Sequence, residues 1–246
     1  KKLIASRGMS LIFISHDLGV IAQICDQVAV MYKGQIIEQG SCHEILKSPK
    51  EPYTIGLLAC RPPLHYKTKR LPTVDDYLQN QNEVFKEERL SDKEIKIRLE
   101  RLTTQKPLIE VRNLKSYYPK EKSFFGKITE WFKAVEDVSF DIYSGETLGL
   151  VGESGCGKST LGRTMIKLKK AASGSVKYGD VDVLNCENSA LKNLRKKMQI
   201  IFQDPYSSLN PRMQIGRAIM EPMEVHNLHG SQAARKEKTM SLLKKV

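Results

Sequence analysis

Apolar positions along this chain come in short runs and alternations. Leu11-Ile12-Phe13-Ile14 is a continuous apolar run that ends at Ser15-His16-Asp17. A run of this length predicts a short buried strand, here over 11–15. A short helix is predicted over 18–25, with Leu18, Ile21 and Cys25 inward. VAVMYKGQIIEQG (28–40) predicts a hairpin that turns at Lys33-Gly34. Ser41 and Glu44 have capping-box spacing and predict a helix over 42–47. Pro49, Pro52, Pro62 and Pro63 then predict a break in regular structure.

The texture changes over 67–106. Charges of both signs mix with little apolar content, which predicts a linker. One helix is expected within it, because Ser91 and Glu94 repeat the capping-box spacing and Ile95, Leu99 and Leu102 would share a face.

From Pro107 the pattern is strand-like again. LIEVRNLKSYY (108–118) alternates, and KAVEDVSFDIYSGETLGLVG (133–152) predicts two strands around a Ser144-Gly145 turn. A helix over 159–170 and a hairpin over GSVKYGDVDV (174–183) follow. Residues 189–196 read as helix, MQIIF (198–202) as a short buried strand, and the stretch after Pro222 as helix. Both ends of the chain are expected to fall inside helices.

Bulk numbers narrow the class. With 246 residues, 40% hydrophobic and 28% charged, the chain can bury a core as one large domain or two small ones. No apolar run approaches the ~18 residues that span a bilayer. The opening KKLIASRG lacks a long apolar stretch, which argues against a secretory signal. Five cysteines, none in a C-x-x-C pair, fit reduced thiols of the cytosol. The net charge of +12 favours acidic partners. The basic residues are spread along the chain without a block interleaved with aromatics, which favours solvation and membrane-side docking over nucleic-acid readout.

The chemistry concentrates at GESGCGKST (152–160). It fits G-x-x-x-x-G-K-[ST] and lies between a predicted strand and a predicted helix, the context this motif requires. Gly152, Gly155 and Gly157 let the backbone turn tightly, so that amides point at phosphate oxygens. Glu153, Ser154 and Cys156 complete the loop, with Cys156 expected to turn away from the nucleotide. The helix that follows offers its positive N-terminal end. Lys158 adds a charge near the β- and γ-phosphates, and Ser159, followed by Thr160, offers a hydroxyl to Mg²⁺. The motif calls for a nucleoside triphosphate.

Two further stretches select the branch. IIFQDPYSSLNPRMQIG (200–216) resembles the Gln loop of ABC-transporter ATPases, and QDPYSSLNP is similar to the oligopeptide, dipeptide, nickel and glutathione importer subfamily. The resemblance gives Gln203 contact with Mg²⁺ and the attacking water, and gives Asp204–Arg212 the contact with the membrane subunit. It makes Tyr118 the ring that stacks on adenine, with Tyr117 as the alternative. ISHDLGVIAQICDQVAVMYKGQIIEQG resembles the His loop and closing strands of the same fold, so His16 would touch the γ-phosphate. PKEPYTIGLLACRPP (49–63) resembles the tail of the oligopeptide/dipeptide subgroup.

The resemblance implies an α/β P-loop NTPase fold with an antiparallel β subdomain, arranged out of order. Residues 1–66 would be the C-terminal part of one ATPase module and 67–106 the linker. Residues 107–246 would be the N-terminal part of a second module. No LSGGQ-like signature, and no run of four apolar residues followed by Asp-Glu, occurs in the sequence. Lone Cys60 in the tail does not support an iron–sulfur cluster. The chain is therefore expected to bind ATP and Mg²⁺ without turnover. The implied partners are membrane permease subunits and a second ATPase module at the cytoplasmic face of the plasma membrane, with no nucleic acid. A soluble ABC-type ATPase acting on ribosomes or DNA stays open as the alternative. A GTPase would need an N/T-K-x-D element, which is not seen.

Overall fold

The computed structural model describes residues 6–79, 85–123, 126–202 and 209–245. The chain divides into two compact units, Lys1–Arg98 and Leu99–Val246.

The first unit contains α1 (Leu18–Ile24), β1 (Gln27–Tyr32), β2 (Gln35–Ser41), α2 (Cys42–Lys47), α3 (Pro52–Ala59) and α4 (Val74–Gln79); α5 (Asp92–Thr103) crosses the division. Strands β1 and β2 pair antiparallel. Their turn residues both take positive φ, 47° at Lys33 and 83° at Gly34. That backbone twist matches the flanking strands, which is why a Gly-containing pair sits there. Ile21, Val30, Cys42 and Ile45 are buried, and the Tyr32 ring stacks on Tyr53 with centroids 4.2 Å apart.

Both capping boxes form. Glu44 N donates to Ser41 Oγ at 3.2 Å while Ser41 N donates to Glu44 Oε2 at 3.1 Å. The same exchange joins Glu94 N to Ser91 Oγ and Ser91 N to Glu94 Oε2 at 3.3 and 2.8 Å. The Ser41 hydroxyl and amide hold the Glu44 carboxyl below its ordinary 4.5. A depressed carboxyl stabilises the fold above that ordinary value and loses the contribution as pH falls. Ser41→Ala is expected to cost about 1 kcal/mol near neutrality. That loss should shrink on acidification, as read by urea unfolding at two pH values.

Pro52 does not break structure as expected. It opens α3 at the first helical position, where its missing N–H is no loss and its fixed φ suits the helix. The stretch expected to be linker carries α4 as well as α5. A Cβ added at Gly56 of α3 would stand 3.2 Å from the Tyr77 Cβ of α4, so the two helices meet closely there.

The second unit contains β3 (Ile109–Lys122), β4 (Ile128–Ile142), α6 (Lys158–Met165), β5 (Ser173–Tyr178), β6 (Val181–Asp182), α7 (Asn188–Leu194), α8 (Ile215–Val225) and α9 (Gln232–Leu243). Helix α6 is shorter than the predicted 159–170, and α8 runs through Pro222. The four strands form one antiparallel sheet in the order β4-β3-β5-β6. Val111, Leu114 and Val176 are fully buried, and Val135, Leu161, Val183 and Leu194 close the core around them. At Gly174 (φ 95°) an added Cβ would lie 2.5 Å from the Asn113 carbonyl oxygen, so only glycine admits this approach of β5 to β3.

Three apolar runs predicted as strands, two of them as buried ones, are not strands. Residues 11–15, 147–151 and 198–202 have no ladder partner among the described residues. Ile12, Ile14, Val151 and Ile201 are each nine-tenths or more exposed. A strand exists only where a neighbour takes up its backbone N–H and C=O groups. An apolar pattern specifies burial but does not supply that neighbour.

Candidate nucleotide-binding site

The glycine-rich loop follows the run 147–151 and ends at the first residue of α6. Gly152, Gly155 and Gly157 take φ of 155°, 85° and 101°, a backbone that winds back on itself. Gly157 is the N-cap of α6. The first intrahelical bond runs from Leu161 N to Gly157 O. The amides of Lys158, Ser159 and Thr160 therefore have no partner within the helix and face outward with the positive end of its dipole.

Lys158 reaches back into the loop. Its Nζ donates to the carbonyls of Gly152 and Glu153, both at 2.7 Å, and lies 3.4 Å from Cys156 Sγ. The Cys156 thiol, expected to turn away, thus sits beside the ammonium. Glu153, Ser154 and Ser159 are exposed and Thr160 is partly buried.

Two hydroxyls fix the loop's helix to the sheet. Thr164 Oγ1 lies 3.0 Å from Ser116 Oγ and donates to Thr160 O at 2.7 Å, with Ser116 and Thr164 both fully buried. Two residues along β3, Tyr118 brings its hydroxyl within 3.4 Å of Thr160 Oγ1. Lys169 Nζ stands 3.8 Å above the Tyr118 ring and donates to Tyr117 O at 2.9 Å. Tyr117 points elsewhere. Its ring lies 6.5 Å from that of Trp131, and hydrogen bonding with Glu136 raises its phenol above the ordinary value.

A loop of this geometry recurs in many nucleotide-binding folds, and comparison with known proteins narrows the choice. Residues 135–246 match the family model described as ABC transporter. The chain is 39% identical over 228 residues to the glutathione import ATP-binding protein GsiA of Pectobacterium atrosepticum, covering 93% of the chain and 36% of that protein. It is 40% identical to the GsiA of Escherichia coli O6:H1, over 95% of the chain and 37% of the relative. These matches place residues 135–246 with the ABC transporter family. The chain spans little more than a third of the length of these relatives. A solved dimeric structure of the ATP-binding cassette MJ0796, in a post-hydrolysis state bound to ADP and Pi, is similar over 55% of the chain and 56% of its own. That match has a TM-score of 0.46 and 23% identity.

The second unit brings together the loop 152–160, Tyr118 and the buried Ser116–Thr164 pair. Gln203 lies outside the described residues. His16 belongs to the first unit. It is exposed at a bend between Ser15 and Asp17. Asp17 is a helix cap, its Oδ1 accepting from Gly19 N at 2.8 Å and Val20 N at 3.3 Å.

Ser116, Thr164 and Lys169 were not legible in the sequence as site residues. Thr164 stands four positions after Thr160, a spacing that lets a helical threonine bond back to the preceding turn. Nothing local signals that Lys169 folds onto Tyr118. No group of three or more metal-ligating side chains occurs among the described residues. No helix there is long and apolar enough to cross a membrane.

Proposed function

We propose that this chain is part of the ATP-binding motor of an ABC importer for peptides, glutathione, nickel or related small solutes, docked on its permease at the cytoplasmic membrane face. The observation that carries this reading is the loop 152–157, closed on the bare amides of α6 with Lys158 held inside it. The relatives named for glutathione import support the importer class. Residues 1–66 are the end of one module and 107–246 the start of the next, joined by 67–106.

On this reading a triphosphate replaces the Gly152 and Glu153 carbonyls as the partner of Lys158, and the α6 amides bind its oxygens. The adenine takes the Tyr118 ring. Ser159 and Gln203 would hold Mg²⁺; an exposed hydroxyl one residue after the lysine is a hard oxygen donor suited to it. The ion, when bound, neutralises charge on the transferred phosphoryl. His16 and Gln203 orient water, each for its own module, with a second ATPase module completing each site.

Titration with Mg-ATP, followed by calorimetry, tests this. Saturable binding to the chain is expected, without steady phosphate release; the whole protein releases phosphate continuously. Absence of binding at millimolar nucleotide would overturn the motor reading. Steady phosphate release by this chain, abolished by Lys158→Ala, would overturn the division of labour between modules.

A further inference from the structure

The stretch between α6 and β5 sets one lysine against an aromatic ring. Leu168 N and Lys169 N both donate to Arg163 O, at 2.9 and 3.2 Å, and so fold the chain back over the end of α6. Three residues on, Ala172 N donates to Lys115 O of β3 at 2.8 Å. Backbone bonds therefore anchor Lys169 on both sides. Its partly buried side chain runs to β3. There Nζ donates to Tyr117 O at 2.9 Å and stands 3.8 Å from the centre of the Tyr118 ring. A carbonyl oxygen and a π-face together hold this ammonium.

At that distance the ammonium covers one face of the ring. Tyr118 is nevertheless 37% exposed, and its hydroxyl is steadied near Thr160 Oγ1. The ring is thus held at its back and near its tip, which leaves its edge and second face for a ligand. The charge also alters that second face. An aromatic ring carries negative charge over both faces, which opposes face-to-face stacking on another π-system. A cation over one face draws π-density toward itself, so the other face becomes less negative. Stacking of a base there is strengthened, and most for the base with the largest and most electron-rich π-system.

We propose, on the reading that Tyr118 takes the adenine, that Lys169 is a positioning residue of the base site. It backs the Tyr118 ring, directs the base to the opposite face and favours purines over pyrimidines. A loosely held lysine would instead compete with the base for the ring and be displaced by it. The anchored backbone, the bond to Tyr117 O and the partial burial point to a fixed lysine. Partial burial also raises the worth of a cation–π contact above that of an exposed one.

Calorimetric titration of the full chain with the magnesium complexes of ATP, CTP and tripolyphosphate tests this, because the phosphate end is common to all three. The ratio of ATP to CTP affinity should fall about threefold in Lys169→Met, which keeps the apolar stem and removes the charge. Lys169→Arg, which keeps a cation, should restore it. Tripolyphosphate has no base and should bind Lys169→Met and wild type alike, with far-UV circular dichroism verifying the fold. Tighter binding of ATP by Lys169→Met would overturn the proposal, since the lysine would then be an obstacle. So would an unchanged ratio, or equal losses for all three ligands. Tyr118→Leu keeps the two readings apart, and its ratio should fall at least as far. A ratio unmoved in Tyr118→Leu would overturn the stacking reading itself. A ratio lost in Tyr118→Leu but kept in Lys169→Met would overturn only the role of Lys169.

Discussion

Gly157→Ala is expected to abolish measurable nucleotide binding and to destabilise the second unit by about 3 kcal/mol or more. Gly157 caps α6 at φ 101° and ψ 0°, a conformation hostile to a side chain. A Cβ there would also intrude on the Ala134 carbonyl oxygen and lie 3.2 Å from its carbon. Neither neighbour can retreat easily. Ala134 adjoins buried Val135 in the core of β4, and the loop is continuous with the helix that carries buried Leu161 and Thr164. The methyl group can be admitted only by moving the loop off the sheet, which redirects the amides proposed to face phosphate. Urea unfolding and titration with a fluorescent ATP analogue read the two losses. Wild-type affinity in this variant would show that the loop does not bind in the form described.

Lys158→Ala separates charge from shape. Its ammonium bonds two backbone carbonyls in a partly exposed setting, so its removal should leave the unfolding midpoint nearly unchanged. Nucleotide affinity should nevertheless fall about 10- to 100-fold, the worth of a hydrogen-bonded charge facing phosphate. The loss should be smaller at high salt, where screening already weakens the attraction. Adenosine, which lacks phosphates, should bind both proteins alike. Equal losses for adenosine and ATP would place Lys158 outside the phosphate end of the site.

What could be read from sequence was what the chain encodes locally. The capping boxes at Ser41 and Ser91, the Lys33-Gly34 turn and the glycine-lysine loop each lie within a few residues of their own partners. Pro52 could also have been read, since a proline before an apolar stretch is as much a helix start as a break. The failures share a cause. Residues 11–15, 147–151 and 198–202 have strand composition, but pairing depends on residues far away in sequence. The Ser116–Thr164 bond spans 48 positions and the Lys169–Tyr117 bond 52. Neither is visible in any short window.

The buried hydroxyl pair has a mechanical consequence. It fastens the strand that bears Tyr118 to the helix that begins at Lys158, so the ring and the phosphate loop form a caliper of fixed span. On the proposed reading, a nucleotide would be gauged from base to phosphates by one stiff body. Whatever movement accompanies its arrival or departure must be borne by chain outside that body.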